Sequence, residues 1–302
     1  MFDAIEDEFH ADVKRFGWRS GIKVQLMKRY LRKTRDIQGM KIFECDWDLL
    51  IVLDACRYDL FSEATHEYNW LEAPKSALSD ASTTYSWMER NFNNSYSSKM
   101  SATSYVCGNP HSGLLLSEDD FADLEEVWKY FWDDDNGTVP PQAITDQSIR
   151  FGREKEPDRL LVHYMQPHTP FLDDESSPPL TLNNFGSNMY DASWDDWVLL
   201  GRGKRDLDDV WSSYRENLKV VLEHVEILLN NIEAEKVIIT SDHGNAAGEY
   251  GLYGHPNVPI KELRQVPWVK TTASDEKTHT PAEYDKTEDA DINKRLTALG
   301  YR

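Results

Sequence analysis

Apolar and polar positions along this chain change rhythm in blocks. Residues 46–53 (DWDLLIVL) end in an unbroken apolar run, as do 159–164 (RLLVHY) and 237–240 (VIIT). Runs this short and this rich in Leu, Ile and Val suit strands buried on both faces. Residues 102–107 (ATSYVC) and 265–270 (QVPWVK) predict two further strands. The rhythm differs in 208–232, where apolar residues recur every three or four positions and predict an amphipathic helix. Residues 1–40 read as a helical lead-in, and DACRYDLFSEA (54–64) as a turn into a helix. The tail from Thr271 to Asp291 is polar, and INKRLTALGY (292–301) closes it as a short amphipathic helix.

Strands alternating with helices predict an α/β fold, a three-layer α/β/α sandwich around a mostly parallel sheet. The expected organisation is a lead-in over 1–46 and one α/β domain over 47–302. Within that domain, 173–206, rich in Pro, Asn, Gly and Ser, reads as an insertion or lid, and 271–302 as a polar C-terminal segment. Open sheets of this kind gather ligands beyond the carboxyl ends of their strands. Three polar clusters fall at such ends: Asp54, His168 and Asp242-His243.

Composition narrows the possible partners. Of 302 residues, 40% are hydrophobic and 12% aromatic, enough for a sizeable core and unlike a disordered acidic chain. Asp and Glu number 53 against 33 Lys and Arg, a net charge of −20. Such a surface repels nucleic acid and anionic membranes, and is compatible with a high-salt environment. An anionic substrate therefore requires local positive charge, which a bound cation supplies. Cys45, Cys56 and Cys107 are too few for a disulfide framework and read as reduced, buried side chains. No signal-peptide pattern and no run of about 18 apolar residues is visible, so a cytoplasmic protein without a transmembrane segment is expected. The basic stretch Lys23–Arg35 reads as a solvated helix face or a contact for a membrane or an acidic partner.

Each candidate residue admits two readings. Asp54, straight after an apolar strand, is a helix N-cap, a base or a metal ligand. In Asp242-His243-Gly244 a strand delivers a carboxylate and an imidazole onto a tight turn. That pair suits Zn²⁺ or Mn²⁺, and equally a capping Asp beside a structural His. His168 (HYMQPHTP) and His255 (EYGLYGHPN) lie in Pro- and Gly-containing turns, where they line a pocket or pack at the surface. His163, inside a strand, reads as core or as support for a site. In Ser79–Trp87 (SDASTTYSW), Ser82 or Thr83 suits a helix cap, and a hydroxyl there also suits a nucleophile at a helix N-terminus facing an anion. No GxSxG elbow, Walker loop or GxGxxG is present, and DDDNG (133–137) lacks the Glu that a Ca²⁺ loop needs.

Taken in order, LLIVLDACRYD, the hydroxyl segment, HYMQPHTPF, TSDHGNAAGEYGLYGH, LRQVPWV and RLTALGY resemble the sulfatase-like branch of the alkaline phosphatase superfamily over roughly residues 47–302. The resemblance implies an alkaline-phosphatase-like fold and a metal-dependent hydrolase or transferase of phosphate or sulfate esters. It implies that Asp54, Asp242, His243 and Thr83 hold one or two divalent ions, and that Thr83 attacks the ester, with Thr84 and Ser82 within a one-residue slip. It implies that His168 and His255 hold the non-bridging oxygens, support a second ion or protonate the leaving oxygen. The C/S-x-P-x-R segment of formylglycine sulfatases is missing, because this chain has Thr and neither the Pro nor the Arg. Ala55 replaces a second Asp, and Asp-His replaces Asp-Asn, which shifts the expected ion from Ca²⁺ or Mg²⁺ towards Mn²⁺ or Zn²⁺. The expected substrate is a small-molecule, glycan or lipid phosphate or sulfate ester. A sulfatase working without formylglycine and a non-catalytic metal- or anion-binding relative are the alternatives.

Overall fold

The computed structural model describes residues 2–185 and 194–284, together with Thr297. Two helices, α1 (Phe2–Phe16) and α2 (Trp18–Thr34), precede the sheet. Then come β1 (Leu49–Asp54), α3 (Tyr58–Ala64), β2 (Lys75–Leu78), α4 (Thr84–Asn91), β3 (Ser104–Cys107) and β4 (Asp123–Glu126). They are followed by α5 (Pro141–Lys155), β5 (Leu160–Pro167), α6 (Asp196–Gly201), α7 (Leu207–Leu229) and β6 (Ala234–Thr240). A two-residue hairpin, β7 (Ala246–Ala247) with β8 (Tyr253–Gly254), leads to β9 (Gln265–Ala273).

The main sheet has seven strands in the order β2-β9-β6-β1-β5-β3-β4. From β6 to β4 all neighbours run parallel, and β9 alone runs against β6 and β2. The expected α/β sandwich around a mostly parallel sheet is therefore the observed one. β1 is buried at every position, as its unbroken apolar run requires. Its alternate side chains enter different layers. Leu49, Ile51 and Leu53 pack with Ile144, Ile149, Leu218 and Val221 of α5 and α7. Leu50 and Val52 pack on the other face with Phe43, Trp87, Met88 and Met100.

Three details differ from the sequence expectation. The last strand continues to Ala273, so the first residues of the polar tail are sheet. Edge strands β2 and β4 and helix α5 add to the predicted elements. Within 173–206 lie a single turn at Leu182–Asn184, all of α6 and no strand among the described residues. Residues 186–193 of that stretch, and the predicted C-terminal helix apart from Thr297, lie outside the described residues. Among those residues no helix is long and apolar enough to cross a membrane.

Candidate metal centre and nucleophile

Asp54 is the last residue of β1, and the chain turns sharply there. Ala55 adopts φ 58°, a left-handed conformation costly for a residue with a Cβ. The turn is over-determined by its neighbours. The Ala55 amide donates to Asp242 Oδ1 at 3.0 Å, and its carbonyl accepts from Asn245 Nδ2 at 3.2 Å and from the Tyr214 hydroxyl. This brace holds the carboxylate leaving β1 against the one leaving β6, because the two strands are adjacent in the sheet.

Thr84 completes the cluster. Its neighbour Thr83 is the N-cap of α4, and the Thr83 hydroxyl accepts from the Ser86 amide at 3.2 Å. Thr84 is the first helical residue and points inward, with Oγ1 3.3 Å from Asp54 Oδ1 and 3.1 Å from His243 Nε2. The structure thus places Thr84, one residue along from Thr83, at the carboxylates. Ser82 points elsewhere, with Oγ 3.5 Å from Asn257 Oδ1.

The donor set fits a cation. His243 Nδ1 donates to the Gly244 carbonyl at 2.8 Å, which turns Nε2 towards the carboxylates. Nε2 lies 3.4 Å from Asp242 Oδ2 and 3.7 Å from Asp54 Oδ1. Asp54 Oδ1 and His243 Nε2 thus share the single Thr84 hydroxyl. Asp242 Oδ2 is buried without a hydrogen-bond partner. The same is true of His163 Nε2, whose ligand-capable ring lies in one group with the carboxylates of Asp54 and Asp242, all within 4.8 Å of one another. Orphaned buried acceptors facing one another are costly, and a divalent ion satisfies them together.

The electrostatics agree. Burial, then the nearby Asp242 carboxylate, pushes Asp54 well above the usual carboxylate range, against hydrogen bonds from Asn109 and Thr84. Burial also opposes ionisation of Asp242, but His243, His163 and the Ala55 amide outweigh it and hold that group low. Burial drives His163 down to about 4 and His111 down to about 3, so both rings are neutral at pH 7.

His168 and His255 also meet, with their Nε2 atoms 3.0 Å apart. The His255 ring centroid lies 4.8 Å from that of His243, which puts the pair beside the carboxylate cluster. His168 Nδ1 bonds the Thr169 carbonyl, which aims Nε2 at His255. Burial lowers both imidazoles. All six residues singled out in sequence lie in this region, although Thr83 faces its own helix.

Three contributors were not singled out as site residues. Asn109, visible only as part of a turn, donates to Asp54 Oδ2 at 2.6 Å. His163, expected in the core or as support, is fully buried, and its Nδ1 lies 2.9 Å from the Tyr105 hydroxyl. His111 follows the same turn as Asn109 and has Nδ1 buried without a partner. The available signal for His163 was an imidazole inside an otherwise apolar strand. Asn109 and His111 gave none, since turns of this composition are common.

No family model matches the chain, and no curated protein does. Solved structures do resemble it. They are phosphoethanolamine transferases and sulfatases. The soluble domain of lipooligosaccharide phosphoethanolamine transferase A from Neisseria meningitidis aligns over 83% of this chain and 86% of its own, at 12% identity and TM-score 0.48. The C-terminal periplasmic domain of phosphoethanolamine transferase EptC from Campylobacter jejuni aligns over 84% and 87%, at 17% identity and TM-score 0.46. A 2-O GAG sulfatase aligns over 83% of this chain and 70% of its own, at 11% identity and TM-score 0.48.

Proposed function

We propose that this chain is a divalent-metal-dependent hydrolase or transferase of phosphate esters whose nucleophile is the Thr84 hydroxyl. The observation that carries this reading is the convergence of Thr84 Oγ1, His243 Nε2 and the Asp54 and Asp242 carboxylates, with Asp242 Oδ2 left unpartnered. Asp54, Asp242, His243 and Thr84 would hold the ion, and the imidazole favours Zn²⁺ or Mn²⁺ over Ca²⁺ or Mg²⁺. When bound, such an ion neutralises the paired carboxylates and makes a coordinated hydroxyl more acidic.

The chain's own groups then divide the work. Thr84 sits at the first turn of α4, where free backbone amides and the helix dipole favour an anionic group. Asp54 Oδ1, 3.3 Å away, is placed to take the hydroxyl proton. Oγ1 forms a bond to phosphorus as the ester oxygen leaves and takes a proton from solvent, while the His168–His255 pair holds the non-bridging oxygens. Water or an acceptor alcohol then attacks the phospho-threonine and restores the hydroxyl. A threonine cannot become formylglycine, which is why phosphate is preferred over sulfate.

The test is turnover of chromogenic phosphate monoester, phosphate diester and sulfate ester, each with Mn²⁺, Zn²⁺, Mg²⁺ or Ca²⁺ and with chelator. Chelator-sensitive phosphate cleavage that Thr84→Val abolishes and Thr83→Val spares is expected. Sulfate cleavage alone would overturn the phosphate assignment. Full activity in Thr84→Val would overturn the nucleophile.

A further inference from the structure

Helix α2 has two faces of opposite character. Val24 and Leu31 are buried against Ala246, Leu252, Val258, Ile260 and Leu263. On the α1 side a Cβ on Gly21 would lie 2.8 Å from the Val13 backbone, so the two helices cross closely there. Lys28 is buried between them, 2.7 Å from Asp12 and 3.1 Å from Glu8, and Arg32 also pairs with Glu8 at 2.8 Å. Those contacts account for the inner face.

On the outer face Trp18 meets the edge of the Phe9 ring at 5.8 Å, and that contact leaves most of the face uncovered. Trp18, Leu26 and Tyr30 are 63%, 64% and 61% exposed. Arg19, Lys23, Arg29 and Lys33 are exposed among them, with no ion pair among the described residues. At about 100° per residue, these seven side chains share one sector of about 140°. The helix contains no Asp or Glu at all, in a chain of net charge −20. A merely solvated face has no physical reason to expose a Trp, a Leu and a Tyr in one cationic stripe.

We propose that the outer face of α2 docks on an anionic lipid bilayer surface. Charge complementarity selects the occupant: the cations meet anionic headgroups, while Trp18, Leu26 and Tyr30 enter the interfacial zone that amphipathic aromatics prefer. The acidic remainder of the molecule is repelled by the same surface, so only this face can approach and the orientation is fixed. The docked helix is tied to the candidate site. Arg32 Nε donates to the Asn257 carbonyl at 2.7 Å, two residues beyond His255, and Arg35 donates to the Tyr250 hydroxyl at 2.8 Å. Docking therefore holds the loop carrying His255 near the headgroup layer.

Flotation of the full chain with vesicles tests this independently of catalysis. The vesicles are phosphatidylcholine alone, or phosphatidylcholine with about one-third phosphatidylglycerol. The buffer is the lowest ionic strength at which the chain keeps its cooperative melting transition. Binding to the anionic vesicles alone is expected, weakening about fivefold for each basic side chain removed and falling steeply with added salt. Arg19→Glu, Lys23→Glu, Arg29→Glu and Lys33→Glu together should abolish flotation. Trp18→Ser with Leu26→Ser should weaken it several-fold while leaving the melting transition in place. No flotation, equal flotation with neutral vesicles, or undiminished flotation of the charge-reversed chain would each overturn the proposal. Capture by polyglutamate without vesicle binding would assign the face to an acidic protein instead.

Discussion

Two aspartates of this molecule, Asp146 and Asp242, are both wholly inaccessible, and their surroundings differ. Asp146, on α5, accepts from His279 Nε2 at 2.6 Å and from the Tyr284 hydroxyl at 2.5 Å, so each of its oxygens has a donor. Those donors lie in the segment after β9, and the carboxylate fastens that segment to the helix. Asp242 is equally buried, but its Oδ2 has no hydrogen-bond partner and lies 3.4 Å from His243 Nε2. Burial alone therefore does not distinguish a structural carboxylate from a ligand. The difference lies in whether the fold provides the hydrogens.

The comparison breaks most readily at Asp242. Asp242→Asn should lower turnover by at least about a thousandfold and strip the ion from the purified chain. It should also raise the melting temperature of the metal-free protein, because it removes a charge repelling Asp54. A stable, metal-loaded and active Asp242→Asn would end the distinction. Thr84→Val should match that kinetic loss without changing the fold. Asp146→Ala should do the reverse, costing about 1–3 kcal/mol in a thermal melt while turnover stays at the wild-type value. Thr83→Val should cost about 1 kcal/mol through the lost cap, again with turnover kept. The smallest effect is a pH slope. Asp54 has a folded pKa above its unfolded one, so its contribution is fully present below about pH 4 and is lost as pH rises through the folded value. The metal-free melting temperature should therefore fall with rising pH in that window, and saturating Mn²⁺ or Zn²⁺ should flatten the slope.

Much of the frame was legible because burial on both faces leaves an unmistakable apolar run. β1, β5 and β6 announce themselves that way, and α7 does so by its spacing. Edge strands carry no such mark. β2 reads Lys-Ser-Ala-Leu and is largely exposed, while β4 reads Asp-Leu-Glu-Glu, and charged edges of this kind resist stray pairing. The choice between Thr83 and Thr84 was not legible. Adjacent residues at a helix start diverge by about 100°, so only the cap decides which hydroxyl faces inward. Nor could a sequence show that Asn109 reaches Asp54 across 55 positions, since that contact depends on β3 lying next but one to β1.

The adjacency of β6, β1 and β5 bears on how such a protein can diversify. Asp54 ends β1, Asp242 follows β6 and His163 lies within β5, so the backbone positions of all three are set by three neighbouring strands of one ladder. Changing that gauge means re-registering the whole sheet. The rim is cut from turns and helices that can lengthen, shorten or be exchanged without disturbing a single rung. Selection can then retailor those turns while the carboxylate cluster beneath them keeps its spacing.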